Sequence, residues 1–538
     1  MDYRNTRLIR RSLYSFLIFL LLLCQTAFAA DFSKLMILHS NDTHGYDQSD
    51  DKHIGMPIFS QIKKEMQDKG YDVIMLDAGD FIQGNDLAKF DKGKSVVKYM
   101  NAVGYDAVTL GNHEFDYGQE VLAQRMKEAK FPFISCNVIN QDTGETLVKP
   151  VQIIEKPYGK IGIIGLTTPA SKTSARPTYV SNLKFLDGEA LYACTQMYVN
   201  ELQKAKCDLI IAIGHMGSED GCAGSRSEDI LAHVNGINIF IDAHDHKVKN
   251  DEINGALRVE TGCHTQNLGC ITYVNGKWQE NLITLGQYTK PDKNVEKLVN
   301  NTAYAIDLKL GKSVGETTIA LDGARMPGLR NQEAAIGDFC ADALLWSANQ
   351  KLEAGKKADA CIVNGGAVRT GINAGNIKVK DLQAVFPFEN ELGAITIKGE
   401  KLLEIIEACT QNTPDEMGGF PQVSGIEFSL NLTVPYQKGP QYPDSLFYAP
   451  GAPGNRVTIK AVGGKPFDLN GEYKIIVNEF IIEGGDSFGG LTTEASIIGC
   501  EMLGFSDNEG LQQFITDRLH GKIPAEYASI KGRIKIIK

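Results

Sequence analysis

This chain predicts an α/β protein of two domains, and three observations carry that reading. Short apolar runs alternate with stretches whose apolar residues recur at helical spacing. The chain has 538 residues, more than one compact core accommodates. Five of the apolar runs in its first half break off into Asp, Asn or His, as strands do when their carboxyl ends carry a site.

Taken in order, residues 1–30 stand apart. Arg4, Arg7, Arg10 and Arg11 precede an apolar run from Leu13 to Leu23, and Ala27-Phe28-Ala29 supplies a small-x-small cleavage pattern. The run is too short to span a bilayer and is flanked like a secretory signal. The expectation is an exported protein, periplasmic or extracellular, with no membrane span in the mature chain.

Residues 31–290 form the expected catalytic domain. Its strands are Leu35-Met36-Ile37-Leu38 leading to Asp42 and His44, and Val73-Ile74-Met75-Leu76 leading to Asp77 and Asp80. Ala107-Val108-Thr109-Leu110 opens into Gly111-Asn112-His113-Glu114-Phe115-Asp116. The run 209–213 leads to His215, and Ile239-Phe240-Ile241 to His244 and His246. Helices are expected at 57–69, where Ile58, Phe59, Ile62 and Met66 share a face, and at 118–130. Residues 291–312 read as a linker helix about which the two domains would rotate, with Val295, Leu298, Val299 and Ala303 on one side. Residues 313–538 form the second α/β unit, with helices at 334–351 and 400–409 and strands at 360–363, 394–397 and 473–477. The Pro-, Gly- and Tyr-rich stretch 411–455 reads as irregular surface structure.

The formal charge is -11, and losing the four arginines and one aspartate of residues 1–30 makes the chain more acidic. That excludes general binding of nucleic acid polymers. A phosphate substrate would need positive charge concentrated locally, by metals or a few arginines. Ten cysteines follow Cys24, and their irregular spacing leaves pairing and buried free thiols equally open.

The strand-end residues suit a pair of divalent metals. Two ions about 3.5–4 Å apart hold both the attacking and the leaving oxygen of a phosphoryl transfer, and need a shared carboxylate plus a few ligands each. Asp42 with His44, and His244 with His246, have spacings that let both members converge from a loop. Asp80 follows a glycine, Asn112 adds a neutral oxygen and His215 another imidazole. With Asp42 and Asp80 as the only ligand carboxylates, two divalent ions leave a positive surplus that attracts phosphate. His113, next to Asn112, faces away from a shared ion and would serve the substrate, with Asp116 fixing its tautomer.

Asn41-Asp42-Thr43-His44-Gly45, Gly79-Asp80, Gly111 to Asp116, Gly214-His215 and Ala243-His244-Asp245-His246 resemble the calcineurin-like metallophosphoesterase signature, specifically that of the 5′-nucleotidase family. The resemblance implies a four-layer α/β/β/α catalytic domain. It also implies one metal on Asp42, His44, Asp80 and His246, a second on Asp80, Asn112, His215 and His244, and a His113–Asp116 catalytic dyad. Zinc or manganese fits such donors. In the second half, Arg330-Asn331-Gln332-Glu333, Asn364-Gly365-Gly366-Ala367-Val368-Arg369, Phe386-Pro387-Phe388, Phe480 and Gly484-Gly485-Asp486 resemble that family's nucleotide-binding domain. Arg330 and Arg369 suit bidentate phosphate contacts. Phe388 and Phe480 would sandwich a base, while Asp486 and Asn364 would hold ribose or base. Ala243, Ala367 and Ser487 stand where the family usually has glycine.

The expected activity is hydrolysis of nucleoside 5′-monophosphates. Its rivals on the same scaffold are UDP-sugar or dinucleotide pyrophosphatase, 2′,3′-cyclic-nucleotide phosphodiesterase and sulfur-ester hydrolase. A nucleotide-binding surface protein with impaired catalysis is the non-enzymatic alternative. The expected partner is a nucleotide, and oligomeric state stays open.

Overall fold

The computed structural model describes residues 31–218, 222–443, 445–492 and 496–538, so the expected signal segment lies outside it. In the first half, Leu35–Ser40, Asp72–Asp77, Ala107–Thr109 and Phe133–Ile134 pair in parallel. Asn267–Val274 and Lys277–Thr284 complete this six-stranded sheet as an antiparallel edge. A second six-stranded sheet has Ala256–Thr261, Ile239–Ile241, Leu209–His215 and Gly159–Thr167 in parallel at its centre.

Alternation along the strands explains the layering. Leu35 and Ile37 share a core with Ile161, Ile211, Ile213 and Ile241 of the other sheet. Met36 and Leu38 face the opposite way and pack with Ile58, Phe59 and Ile62 of the helix Gly55–Asp68. On the far side, Ile210 and Ala212 pack with Leu191, Val199 and Leu202 of the helix Gly188–Lys204. The order is therefore helix, sheet, sheet, helix. Covered on both faces, Leu35–Ser40 is buried throughout, which is why it reads as a continuous apolar run.

The expected linker is the helix Lys293–Leu310, capped by Asp292, whose carboxylate accepts from the Asn294 N–H and the Ser60 hydroxyl. Val295, Val299 and Ile306 are buried in the core of the first half. The helix is thus fastened to that half along its length, and Asp307 reaches the second half through an ion pair with Lys380 at 2.6 Å.

The second half is built on a five-stranded sheet in the order Pro421–Ser424, Ala360–Asn364, Glu472–Asn478, Glu391–Lys398, Gly499–Ser506. The helix Ala335–Lys351 covers one face and Gly399–Ala408 the other. Stretch 411–455 departs from expectation. Pro421–Ser424 is a sheet strand, and Ile426–Asn431 pairs with Val457–Val462 and Ile534–Ile537. Ile426, Phe428 and Leu430 are buried while Glu427 is exposed. This period-two pattern is short enough to be lost among the flanking Pro, Gly and Tyr. All ten described cysteines are free thiols, in keeping with a core large enough to need no staples. Among the described residues no helix is long and apolar enough to cross a membrane.

Candidate active site

The carboxyl ends of both sheets of the first half open at one place. Asp42, His44, Asp80 and Asn112 arrive from the first sheet, and His215, His244 and His246 from the second. His44 Nε2 lies 3.3 Å from His246 Nε2, and His246 Nε2 lies 3.4 Å from Asp42 Oδ1. His215 Nε2 is 3.1 Å from Asp80 Oδ2, and His244 Nδ1 is 3.2 Å from His215 Nε2 and 3.0 Å from Asn112 Oδ1. Asp80 Oδ2 is also 3.8 Å from His44 Nε2, so it borders both groups.

Local backbone makes this convergence. Asp42, His44, Asp80, His244 and His246 all have left-handed φ, between 47° and 94°. Non-glycine residues rarely adopt that region, and five among seven converging side chains mark a site where surrounding structure imposes the conformation. A Cβ on Gly111 would lie 2.1 Å from Asp80 Oδ1, so only glycine lets the Asp80 carboxylate in. The buried Glu114 carboxylate accepts from the backbone N–H groups of Asp80, Phe81 and Gly111 at 2.6–2.9 Å, locking two ligand loops together. His44 and His215 each donate Nδ1–H to a carbonyl, of Gln83 and Ala78 respectively, which turns Nε2 toward the cluster.

The donor set fits divalent metals. Asp42 Oδ1 is buried with no hydrogen-bond partner, an orphaned acceptor among imidazole nitrogens. Donor separations of 3.0–3.9 Å across the cluster suit ions bound at about 2.0–2.2 Å. Burial holds the His44 and His246 imidazoles well below their usual range, keeping them neutral as ligands must be. Burial alone would raise Asp80, but the imidazoles of His215, His113 and His44 hold it well below the usual carboxylate range. His215 is pushed up to about 10 because Asp80 and Asp42 outweigh its burial. The pocket favours a positive charge between these carboxylates, which a cation would supply in place of the proton.

His113 stands beside this cluster. Its Nδ1 is 2.6 Å from Asp116 Oδ2, and although burial opposes protonation, Asp116 and Asp80 together raise its pKa. Its ring stacks on Phe388 from the second half, with centroids 6.0 Å apart at 21°. The Arg369 guanidinium lies over the Phe388 ring, 5.9 Å from its centroid. Among the described residues no carboxylate pairs with it. Asn364 Nδ2 donates to Asp486 Oδ2 at 3.2 Å. A single cavity of about 460 Å³ between the halves is lined by Asp80, Asn112, His113, Asp116, His244 and His246 on one side. Arg330, Asn364, Arg369, Phe388, Phe480 and Asp486 line the other. Phe386 and Phe488 are instead fully buried core residues.

Three features went unread in the sequence. Glu114 was visible inside the Gly-Asn-His-Glu run, but nothing in the spacing says that it accepts backbone hydrogen bonds. Arg325 puts Nη1 3.2 Å from His246 Nδ1 across the domain junction and pairs with Glu416 at 3.4 Å. Cys263 and His264 sit beside His246, brought there by the turn before the strand Asn267–Val274.

Comparison with known proteins agrees with this layout. Residues 35–248 match the calcineurin-like phosphoesterase model, and residues 313–493 match the 5′-nucleotidase, C-terminal domain. The 5′-nucleotidase of Vibrio cholerae is 27% identical over 533 residues, covering 90% of this chain and 90% of that one. The trifunctional nucleotide phosphoesterase protein YfkN of Bacillus subtilis is 28% identical over 93% of this chain, a match that spans 35% of that protein's length. The crystal structure of the 5′-nucleotidase precursor from Thermus thermophilus has the same fold, with TM-score 0.79 and 24% identity over 94% of this chain and 99% of that one.

Proposed function

The chain belongs to the 5′-nucleotidase family of metal-dependent phosphoester hydrolases, and from that membership we propose that it is an exported enzyme using two divalent ions, zinc or manganese, to convert a nucleoside 5′-monophosphate into nucleoside and phosphate. The observation that supports this reading is the shared cavity, where the donor cluster and His113 face an arginine- and phenylalanine-lined wall. Asp42, His44, Asp80 and His246 would hold one ion, and Asp80, Asn112, His215 and His244 the other. Bound there, such a pair supplies Lewis-acid stabilisation of the phosphoryl oxygens and an activated water nucleophile.

The remaining roles fall to this chain's own side chains. His113, protonated on both nitrogens, donates from Nε2 to the ribose oxygen that leaves, while Asp116 holds Nδ1–H and fixes the ring. Arg330 and Arg369 bind and orient the phosphate, and Arg369 has no described carboxylate in ion-pair contact. Phe388 and Phe480 hold the base, and Asp486 and Asn364 hold the ribose or base edge. Residues 31–290 thus carry the chemistry, 313–538 the recognition and 291–312 the join between them. The exported location rests on the pattern of residues 1–30.

The test is phosphate release from AMP, UDP-glucose, a 2′,3′-cyclic nucleotide and a thiosulfonate, with metals quantified in parallel. AMP should be the fastest substrate. His113→Ala should lower turnover by about 10²–10⁴-fold while retaining both metals. A fastest turnover on UDP-glucose would reassign the enzyme to pyrophosphatase chemistry. Loss of metal in the His113 variant would make that residue a ligand.

A further inference from the structure

His246, Cys263 and His264 each present one donor atom within 4.8 Å of the others, and this group lies on the rim of the donor cluster. It differs from the rest of the site in chemistry. The seven residues described above offer only carboxylate, amide and imidazole donors. Cys263 adds a sulfur, and two imidazoles with a thiolate form a donor set that favours zinc over manganese or magnesium.

The loop that carries Cys263 and His264 is built into the site. The His264 N–H donates to the Asp42 carbonyl at 2.8 Å, and the Asn41 amide donates to the Gly262 carbonyl at 2.7 Å. His264 and Thr265 both have left-handed φ, 56° and 50°, the same unusual backbone as the ligand loops. The His264 ring stacks on Tyr46 with centroids 4.1 Å apart and lies 5.5 Å from the His246 ring. Neither the His264 ring nitrogens nor the Cys263 sulfur has a hydrogen-bond partner among the described residues. A half-buried thiol and imidazole without partners, held beside a third imidazole, have no evident structural task.

We propose that His246, Cys263 and His264 form a third site, selective for zinc, that borrows His246 from the neighbouring metal pair. Zinc loading it displaces the thiol proton to solvent and forms a zinc–sulfur bond. Since Arg325 engages His246 Nδ1, only one His246 nitrogen is open, so zinc at the third site takes that ligand from the pair: zinc beyond the catalytic complement inhibits the enzyme, whereas manganese does not. The inhibitory part rests on the reading of His246 as a ligand of the pair; the occupancy part does not.

The test uses the full mature chain, loaded with zinc or substituted with cobalt(II). Wild type should bind three zinc ions and, as the cobalt form, show thiolate-to-cobalt charge-transfer absorption. Cys263→Ser should bind two, lose that band, keep AMP hydrolysis and require about 10-fold or more additional zinc for inhibition. His264→Gln, with the thiol intact, should likewise bind two, and thermal melts of both variants check folding. Two zinc ions and no thiolate band in wild type overturn the proposal. So does a thiolate band at two ions, which would make Cys263 a ligand of the pair itself. A chain that binds three zinc ions without hydrolysing any phosphoester would keep the third site and sink the proposed function instead.

Discussion

The two walls of the cavity are built by opposite means. On the metal-donor wall the ligand loops are tied by buried hydrogen bonds: Glu114 clasps two loops, Asn41 ties Asp42 to Gly262 and Thr261, and Asp242 accepts from Met216, Gly217 and Ala243. On the facing wall, Arg369 has an aromatic ring but no described carboxylate in ion-pair contact, and Phe388 stacks on His113. Reactive geometry has to be fixed before substrate arrives, because a misplaced donor costs rate directly. Recognition tolerates give, since a ring stacks on any base and a guanidinium finds its phosphate when the phosphate comes.

Mutations should separate the walls. The largest effect belongs to Asp80→Asn, which removes the carboxylate bordering both donor groups. Turnover should fall by about 10³-fold or more, several kcal/mol of lost stabilisation, together with bound metal. Retained activity with Asn at this position would break the contrast outright. Glu114→Ala touches no substrate, yet it leaves buried N–H groups unpaired. It should cost roughly 1–3 kcal/mol of stability in denaturant unfolding and weaken metal binding about 10–100-fold. On the other wall, Phe388→Ala should raise KM for every nucleotide by about 5- to 150-fold, the worth of one stacked base, with metal content untouched. A fall in kcat of the same size would mean that Phe388 positions His113 instead.

The last effect concerns the frame and leaves turnover untouched. Asp47 is fully buried, neither carboxylate oxygen has a partner, and burial pushes its pKa up to about 8. The folded state keeps that proton to about pH 8, while the unfolded chain releases it near pH 3.9. Between those values the folded state binds more protons, so stability falls as pH rises, by about 1.4 kcal/mol per unit from this group. Asp47→Asn should therefore melt higher than wild type, with a gap that widens from pH 5 to pH 8. A constant gap would show that Asp47 finds a partner in solution.

What the sequence revealed follows the same division. Strand-end motifs are dense and ordered, so Asp42, His44, Asp80, Asn112, His215, His244 and His246 could be picked out as a set before any coordinates. The phenylalanines of the second half could not be sorted by composition. Phe386 and Phe388 are two apart on a turn, and one enters the core while the other enters the cavity. The grouping of Cys263 and His264 with His246 was not legible because the loop that carries them is set by Asn41 and Asp42, over two hundred residues away, and adjacent residues seldom aim at one place unless the backbone turns left-handed. The strand Ile426–Asn431 was missed for want of length: three alternating apolar residues weigh little against the prolines and glycines around them.

Because the donors come from both sheets, an ion seated among them is also a fastener, with Asp42 and Asp80 on one leaf and His215, His244 and His246 on the other. Withdrawing the ions would loosen the sandwich at its working edge, where like-charged carboxylates and strained loops would then face each other. Chelation should thus do more than silence turnover. It should open that edge to proteases while the distant sheet of the second half stays intact, so that a shortage of metal would shorten the life of the protein itself.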